Sequence, residues 1–507
     1  MRKIPATMAT QHPDNAQAPY WGTSPFISTG EEVEEAYRCF ADLGIDEYMW
    51  DWEGKFVDEA VVDRLLNHYL PYFRKNQLGR DKFLTFRIPN IWKEKAHHRL
   101  ARSYMGILTA AHTARDYKVH CPPIFEVILP MTTSPDQLIA IHERYHHAFQ
   151  YERMVFGAPA TKKPFLEVIP LIEGSVTLLQ SGEILATYLK KIQKLYRQKI
   201  STIRPFIARS DPALDSGYIP ALLGAKGALS EYYRFEEKSG VRVFPIIGVG
   251  SLPFRGGLNP DNLESFMELY AGVRTVTIQS AFRYDYPLDK VKRAIRTLKE
   301  KLPRRRAVIV DPKILQRMVQ IAQLFAAEYQ PVIENLAGTI NQLSPFIPQH
   351  RERILHTGHF GYSRKIGRSK KSLPRAITFT ATLASLGIPP SLIGTGRGLK
   401  KALKERHGPL LDRLFPSLPQ ELQEVGGYLN RENLEFLSRK DPAWQFIKKD
   451  VSFLESYLGT RMEPKTTDQY THRNMTSNIY HLWRAERDPR LLAEEILRAA
   501  RVRRSLG

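Results

Sequence analysis

An imidazole, a pair of carboxylates and a set of arginines are spaced along this chain in ways that suit proton transfer and the handling of anions. His12 lies in Thr10-Gln11-His12-Pro13-Asp14-Asn15, a short polar segment stiffened by proline. Proline fixes its own φ and biases the preceding residue towards extended backbone, while Asp14 and Asn15 can bond local backbone groups and hold a turn. Such a histidine is expected to be presented rather than packed, ahead of any regular element, and imidazole is well suited to passing protons near neutral pH. On these six residues alone, an N-terminal arm whose histidine is only surface polarity fits equally well.

Glu173 and Asp211 form the hard-oxygen pair that a Mg²⁺ ion takes, with water and substrate oxygens completing the shell. Either acid alone is more often a helix cap or a surface ion pair. In Arg255-Gly256-Gly257 the glycines would let backbone N–H groups approach an anion while the guanidinium forks onto it. From Ser363 to Arg375 six basic residues, Arg364 and Arg375 among them, occur with no acid. A run so charged repels itself unless it is solvated or paired with an anion. Alone it reads as a mobile loop; directly after a last strand it is a candidate phosphate cradle.

Short β-branched or aromatic runs alternate with long helical patterns, which argues for a parallel sheet. The expected strands are Ile45–Trp50, Lys82–Ile88, Ile124–Leu129, Phe165–Pro170, Ile203–Ala208, Val241–Ile247, Arg274–Gln279 and Ile354–Phe360. Eight strands and intervening helices such as Glu94–Arg115, Gly182–Ile200 and Asp215–Glu237 predict an α/β fold, a TIM-type (β/α)8 barrel elaborated with many additional α-helices. An open doubly wound sheet shares the pattern, but no G-x-G-x-x-G follows any of these strands. We expect one catalytic domain over 1–507: an arm over 1–40 carrying His12, the barrel over 41–400 and a helical extension over 401–507. In a barrel the function lies just past the strand ends. Asp51-Trp52-Glu53-Gly54-Lys55, Glu173-Gly174, Arg209-Ser210-Asp211, Gly250 to Gly257 and Ser280 to Arg283 all fall there.

The chain has 507 residues, 43% of them apolar, ample for a large core. Two cysteines, Cys39 and Cys121, exclude a disulfide framework and a cysteine-rich metal site. With no apolar run near 18 residues and no apolar stretch after Met1-Arg2-Lys3, the expected location is cytoplasmic, with no membrane partner. The net charge of +21 is concentrated late, since residues 1–300 carry 39 basic against 34 acidic side chains and 301–507 carry 35 against 19. A basic half suggests anionic partners. Nucleic acid is not expected, because zinc-finger spacing, an RNP-type motif and a KH-like clamp are all missing.

Taken together these motifs resemble those of the phosphoenolpyruvate carboxylases, specifically the shorter archaeal type, across essentially the whole chain. Thr10-Gln11-His12-Pro13 is similar to the family's Thr-Ala-His-Pro, Pro170-Leu171-Ile172-Glu173 to its Pro-Leu-Phe-Glu, and Arg209-Ser210-Asp211 through Asp215-Ser216-Gly217 to its Tyr-Ser-Asp…Lys-Asp-Ala-Gly segment. Phe254-Arg255-Gly256-Gly257 resembles the later half of the glycine-rich loop, Ser363-Arg364 its Ser-Arg, and Leu373-Pro374-Arg375-Ala376-Ile377 its Leu-Arg-Ala-Ile. Each motif is weak alone; six in order are specific.

The resemblance implies addition of bicarbonate to phosphoenolpyruvate, giving oxaloacetate and phosphate through carboxyphosphate and a metal-bound enolate. It implies Mg²⁺ or Mn²⁺ on Glu173 and Asp211, no biotin, catalytic roles for His12, Arg255, Arg364 and Arg375, and substrate contacts from the three arginines with Gly256 and Gly257. A homotetramer is also implied. There are departures. Gly248-Val249-Gly250 lacks the loop arginine of the larger enzymes, Leu214 replaces a lysine, and Ser505-Leu506-Gly507 replaces Asn-Thr-Gly. The missing anion contact must come from elsewhere or be absent, and the resemblance does not establish inhibition by dicarboxylic acids, which uses that tail and nearby basic residues. Another barrel enzyme acting on phosphoenolpyruvate would share the carboxylates and arginines but not the need for His-Pro. A nucleic-acid-binding protein would explain the charge and little else.

Overall fold

The apolar runs become the staves of a closed parallel barrel in the computed structural model, which describes residues 2–94, 97–161, 165–352, 364–366 and 371–507. The strands are β1 (Thr7–Ala9), β2 (Glu47–Asp51), β3 (Phe83–Arg87), β4 (Glu126–Leu129), β5 (Glu167–Ile172), β6 (Phe206–Ala208), β7 (Ile246–Gly248) and β8 (Thr275–Ile278). Each pairs with the next in sequence, and β8 closes on β1 with Thr7 opposite Val276 and Ala9 opposite Ile278. Many helices surround the barrel, so the expected (β/α)8 architecture holds.

One stave differs from the expectation. Thr7–Ala9 takes the place assigned to Ile354–Phe360, a stretch that lies outside the described residues. Three residues are too few to show alternation, so β1 leaves no periodic signal. His12 therefore follows a strand end and does not precede the first element. Two further strands are shorter than expected because prolines cut them. Pro205 and Pro245 lack the N–H a ladder needs, so Thr202–Ile203 and Arg242–Val243 pair as a separate small sheet outside the barrel.

Inside the barrel, Met8, Met49, Ile128, Ile169, Leu171, Phe206, Ala208 and Ile246 form one apolar cluster. Its N-terminal end is closed by polar groups, the Arg204 guanidinium lying between the Glu47 carboxylate at 2.6 Å and the Glu126 carboxylate at 2.8 Å. All three side chains are buried. Removing one partner of a buried pair strands the others, at about 3–5 kcal/mol. Arg204→Leu is expected to lower the unfolding free energy by about that amount in urea titrations, with Glu47 and Glu126 left unpaired; an unchanged midpoint would mean that the barrel floor relaxes around the change. Among the described residues no single helix is long and apolar enough to cross a membrane.

Candidate active site

At the opposite, C-terminal end of the barrel lies a cavity of about 120 Å³ lined by His12, Asp51, Arg87, Glu173, Asp211, Arg255, Gln279 and Arg375, among others. Strand ends supply most of these. Asp51 and Arg87 are the last residues of β2 and β3, Glu173 follows β5, Asp211 opens the helix Ser210–Ser216 after β6, and Arg255 lies in the turn after β7. The site thus draws on many short loops hung from one rigid ring.

The His12 segment is tied down as it leaves β1. Thr10 N–H donates to the Ile278 carbonyl, the Ala16 and Gln17 N–H groups donate to the Asp285 carboxylate, and Arg283 Nη1 donates to the Thr10 carbonyl at 3.0 Å. Arg283 also pairs with buried Glu35 at 2.8 Å. Burial alone would raise the Glu35 pKa, but Arg351 and Arg283 outweigh it and hold this carboxyl at about 2. His12 Nδ1 lies 3.0 Å from Thr10 Oγ1. In the tautomer that donates Nδ1–H to that hydroxyl, Nε2 carries the lone pair. Burial, together with the positive charges of Arg87, Arg255 and Arg375, pushes the His12 pKa well below 6.5, with only Asp51 opposing. This direction favours the uncharged ring, the form whose free nitrogen can accept a proton. The histidine expected to be presented is half-buried at the cavity wall, with Gln11, Asp14 and Asn15 buried around it.

Arg87 was not among the residues singled out from the sequence. Its Nε and Nη2 donate to the two Asp51 oxygens at 2.8 and 2.6 Å, and its Nη1 lies 2.9 Å from Glu53 Oε2. Burial would raise the Asp51 pKa, yet the Arg87 guanidinium holds it well below the usual carboxylate range. Glu53 also takes Arg375, Nη2 donating to Oε1 at 2.8 Å. The signal for Arg87 was present: an arginine closes an otherwise apolar, aromatic strand on the face where barrel chemistry occurs.

Glu173 and Asp211 come from neighbouring strands, since Leu171 and Ile172 pair with Phe206 and Ile207. Both line the cavity, Glu173 in the field of Arg87 and Asp211 in that of Arg255. Among the described residues there is no cluster of three or more His, Cys, Asp or Glu of the kind a fully protein-ligated metal needs. Two hard carboxylates on adjacent staves, facing a polar cavity with room for water and substrate oxygens, suit Mg²⁺ or Mn²⁺.

Arg255 is at the cavity wall, but most of its N–H groups are already used. Nη1 donates to Asp14 Oδ2 and to the Gly507 carbonyl, Nη2 to Gln279 Oε1 at 2.6 Å, and Nε to Ser210 Oγ at 3.2 Å. Burial lowers its pKa, opposed by Asp14. The glycines after it behave differently from the expectation. Gly256 and Gly257 have φ of +115° and +76°, conformations that favour glycine, and their N–H groups bond to the Pro253 and Leu252 carbonyls inside the turn. Neither N–H is presented to the cavity. The glycines make the turn that aims Arg255, and a Cβ on Gly256 would collide with Val249 Cγ1. Val249 itself is buried, so the earlier half of this loop contributes a packed apolar side chain.

The basic run is not a plain loop. Arg364–Ile366 pairs antiparallel with Lys371–Leu373, and Arg375 immediately precedes the helix Ala376–Ser385. Ser363, Lys370 and the Arg364 side chain lie outside what is described. The structure therefore brings together His12, Glu173, Asp211, Arg255 and Arg375, and adds Arg87, Asp51 and Glu53.

Comparison with known proteins gives the family. The family model for phosphoenolpyruvate carboxylase matches residues 4–507. The chain is 38% identical to a phosphoenolpyruvate carboxylase of Oenococcus oeni, with 100% of this chain and 99% of that one aligned. It is 39% identical to one of Metallosphaera sedula with both chains fully covered, and 38% identical to one of Methanothermobacter thermautotrophicus, again with both fully covered. The short form is thus shared by bacterial and archaeal proteins. Matched from end to end by that family, with a histidine, two adjacent-strand carboxylates and a ring of arginines at one barrel mouth, this chain belongs to the phosphoenolpyruvate carboxylases.

Proposed function

We propose that this enzyme joins bicarbonate to phosphoenolpyruvate by way of carboxyphosphate, with His12 acting only after phosphoryl transfer. The carrying observation is that His12, its Nδ1 3.0 Å from Thr10 Oγ1, lines one cavity with Arg87, Arg375, Glu173 and Asp211. A bicarbonate oxygen attacks phosphorus and the bond from phosphorus to the enol oxygen breaks, leaving carboxyphosphate and the enolate of pyruvate. Arg375 and Arg87 face the phosphoryl oxygens and the developing negative charge. His12 Nε2 then takes the carboxyl proton of carboxyphosphate, the bond between carbon and the phosphate oxygen breaks, and carbon dioxide and phosphate separate. The enolate carbon attacks carbon dioxide to give oxaloacetate. The walls of the cavity must keep water from the enolate, which would otherwise gain a proton and leave as pyruvate.

Glu173 and Asp211 would hold the divalent ion, which when bound supplies Lewis-acid stabilisation of oxygen charge. The same reading includes independence of biotin, a homotetramer and a cytoplasmic location. The deciding experiment is a coupled assay for oxaloacetate from phosphoenolpyruvate with and without bicarbonate; an oxaloacetate signal that ignores bicarbonate sinks the proposal.

The arginines are distinguishable from the surrounding basic surface. Lysine keeps the charge of Arg375 but loses the planar fork held by Glu53. Arg375→Lys is expected to lower kcat/KM by at least about tenfold, ~1.4 kcal/mol. Lys371→Ala, at an exposed hairpin position, should change it by much less. The reverse order in steady-state assays would make the run a diffuse basic patch.

A further inference from the structure

Glu53 is buried, 1% exposed, and holds two cavity-lining arginines, one on each carboxylate oxygen. One is Arg87, rooted at the end of β3; the other is Arg375, just before the helix Ala376–Ser385. The two residues are 288 positions apart in the chain, and a single carboxylate joins them, Oε2 to Arg87 at 2.9 Å and Oε1 to Arg375 at 2.8 Å. Glu53 does not itself line the cavity. The position of Glu53 is fixed in turn by its neighbours: Glu53 N–H donates to Asp51 Oδ1 at 2.9 Å, and Asp51 holds the other edge of Arg87.

We infer that Glu53 is a positioning residue for substrate binding: it sets the distance and direction between the Arg87 and Arg375 forks so that both grip one small phosphorylated carboxylate. This rests on the function proposed above. The chemistry supports it in three ways. Arg87 carries five N–H groups, and its contacts to Asp51 and Glu53 engage one on each nitrogen, so its two terminal nitrogens each keep a second N–H. Two cations brought together without a ligand repel, and a buried carboxylate between them removes that cost in the empty site. Finally, each fork is directional, so an error in their relative placement weakens a bound anion more than loss of net charge would.

Glu53→Gln is the sharp test because it keeps the size and one acceptor oxygen. Its amide can hold one guanidinium but turns an NH₂ donor towards the other. We expect the KM for phosphoenolpyruvate to rise at least tenfold, with kcat within about threefold and the KM for bicarbonate unchanged. Calorimetric binding of phosphoenolpyruvate alone should weaken by the same factor. Glu53→Asp, which keeps the charge but is too short to span both arginines, should resemble Glu53→Gln and not the parent. As a control, Asp450→Asn breaks another buried contact, to Arg397, and should lower thermal stability without moving either KM. A parent that binds and carboxylates phosphoenolpyruvate while folded Glu53→Gln matches its KM and its binding constant overturns the role of Glu53 and leaves the function standing. A parent that neither binds nor carboxylates phosphoenolpyruvate overturns the function, and this inference with it.

Discussion

His12→Asn is expected to stop oxaloacetate formation while phosphoenolpyruvate is still cleaved in a bicarbonate-dependent way to pyruvate and phosphate. The expectation follows from where the ring stands and what it can do there. Its Nδ1 is turned to Thr10 Oγ1, and burial with the nearby guanidinium charges keeps the ring neutral. A neutral imidazole among cations contributes little to holding a phosphoryl group, so phosphoryl transfer should survive its loss. Decarboxylating carboxyphosphate is different, because the carboxyl proton needs an acceptor and asparagine has none. Loss of a general base costs about 10²–10⁴-fold. Parallel quantification of phosphate, pyruvate and oxaloacetate, with and without bicarbonate, reads this directly. Should phosphate release vanish together with oxaloacetate in a folded variant, His12 acts earlier than proposed; should oxaloacetate persist near the parent rate, it is not the base.

Replacing either adjacent-strand carboxylate has a different signature, since both chemical steps should fail together. In Glu173→Gln and Asp211→Asn the side chains stay nearly isosteric and the barrel around them, Leu171 to Ile172 against Phe206 to Ile207, is untouched. What disappears is the charge of one of the carboxylates that line a cavity otherwise rich in guanidinium groups. A metal's share of transition-state stabilisation is several kcal/mol, and about 4 kcal/mol is roughly a thousandfold in rate. We expect phosphate release and oxaloacetate formation to fall together by at least that factor at ordinary Mg²⁺. Titration should show a raised requirement for Mg²⁺ or Mn²⁺ in each variant. Phosphate release at the parent rate in Asp211→Asn, at saturating Mg²⁺, would remove Asp211 from the metal site.

The two signatures separate the halves of the site. One variant class uncouples the steps; the other silences both. A purely structural defect would produce neither pattern without a parallel loss of thermal stability.

Much of this was legible in the chain itself, for identifiable reasons. Seven staves announced themselves because buried parallel strands read as continuous apolar runs, and the carboxylates after β5 and β6 sit where a barrel puts its chemistry. His12, Glu173, Asp211, Arg255 and Arg375 were each visible as a residue type in a telling local context, since proline, glycine and an acid-free run are local features. What the sequence could not carry was pairing at a distance. Thr7–Ala9 is a strand only because Val276 to Ile278 and Glu47 to Tyr48 lie on either side of it. Gly256 and Gly257 looked like anion donors until the turn closed on Pro253 and Leu252 and used their N–H groups internally. Arg87 and Glu53 gained their importance from Arg375, 288 residues beyond Arg87, through contacts that exist only once the barrel mouth has formed. Sequence thus determined which side chains are available and the local geometry that presents them. Tertiary structure decided which charges face one another, because Coulomb and hydrogen-bond energies depend on separation in space and not on separation along the chain.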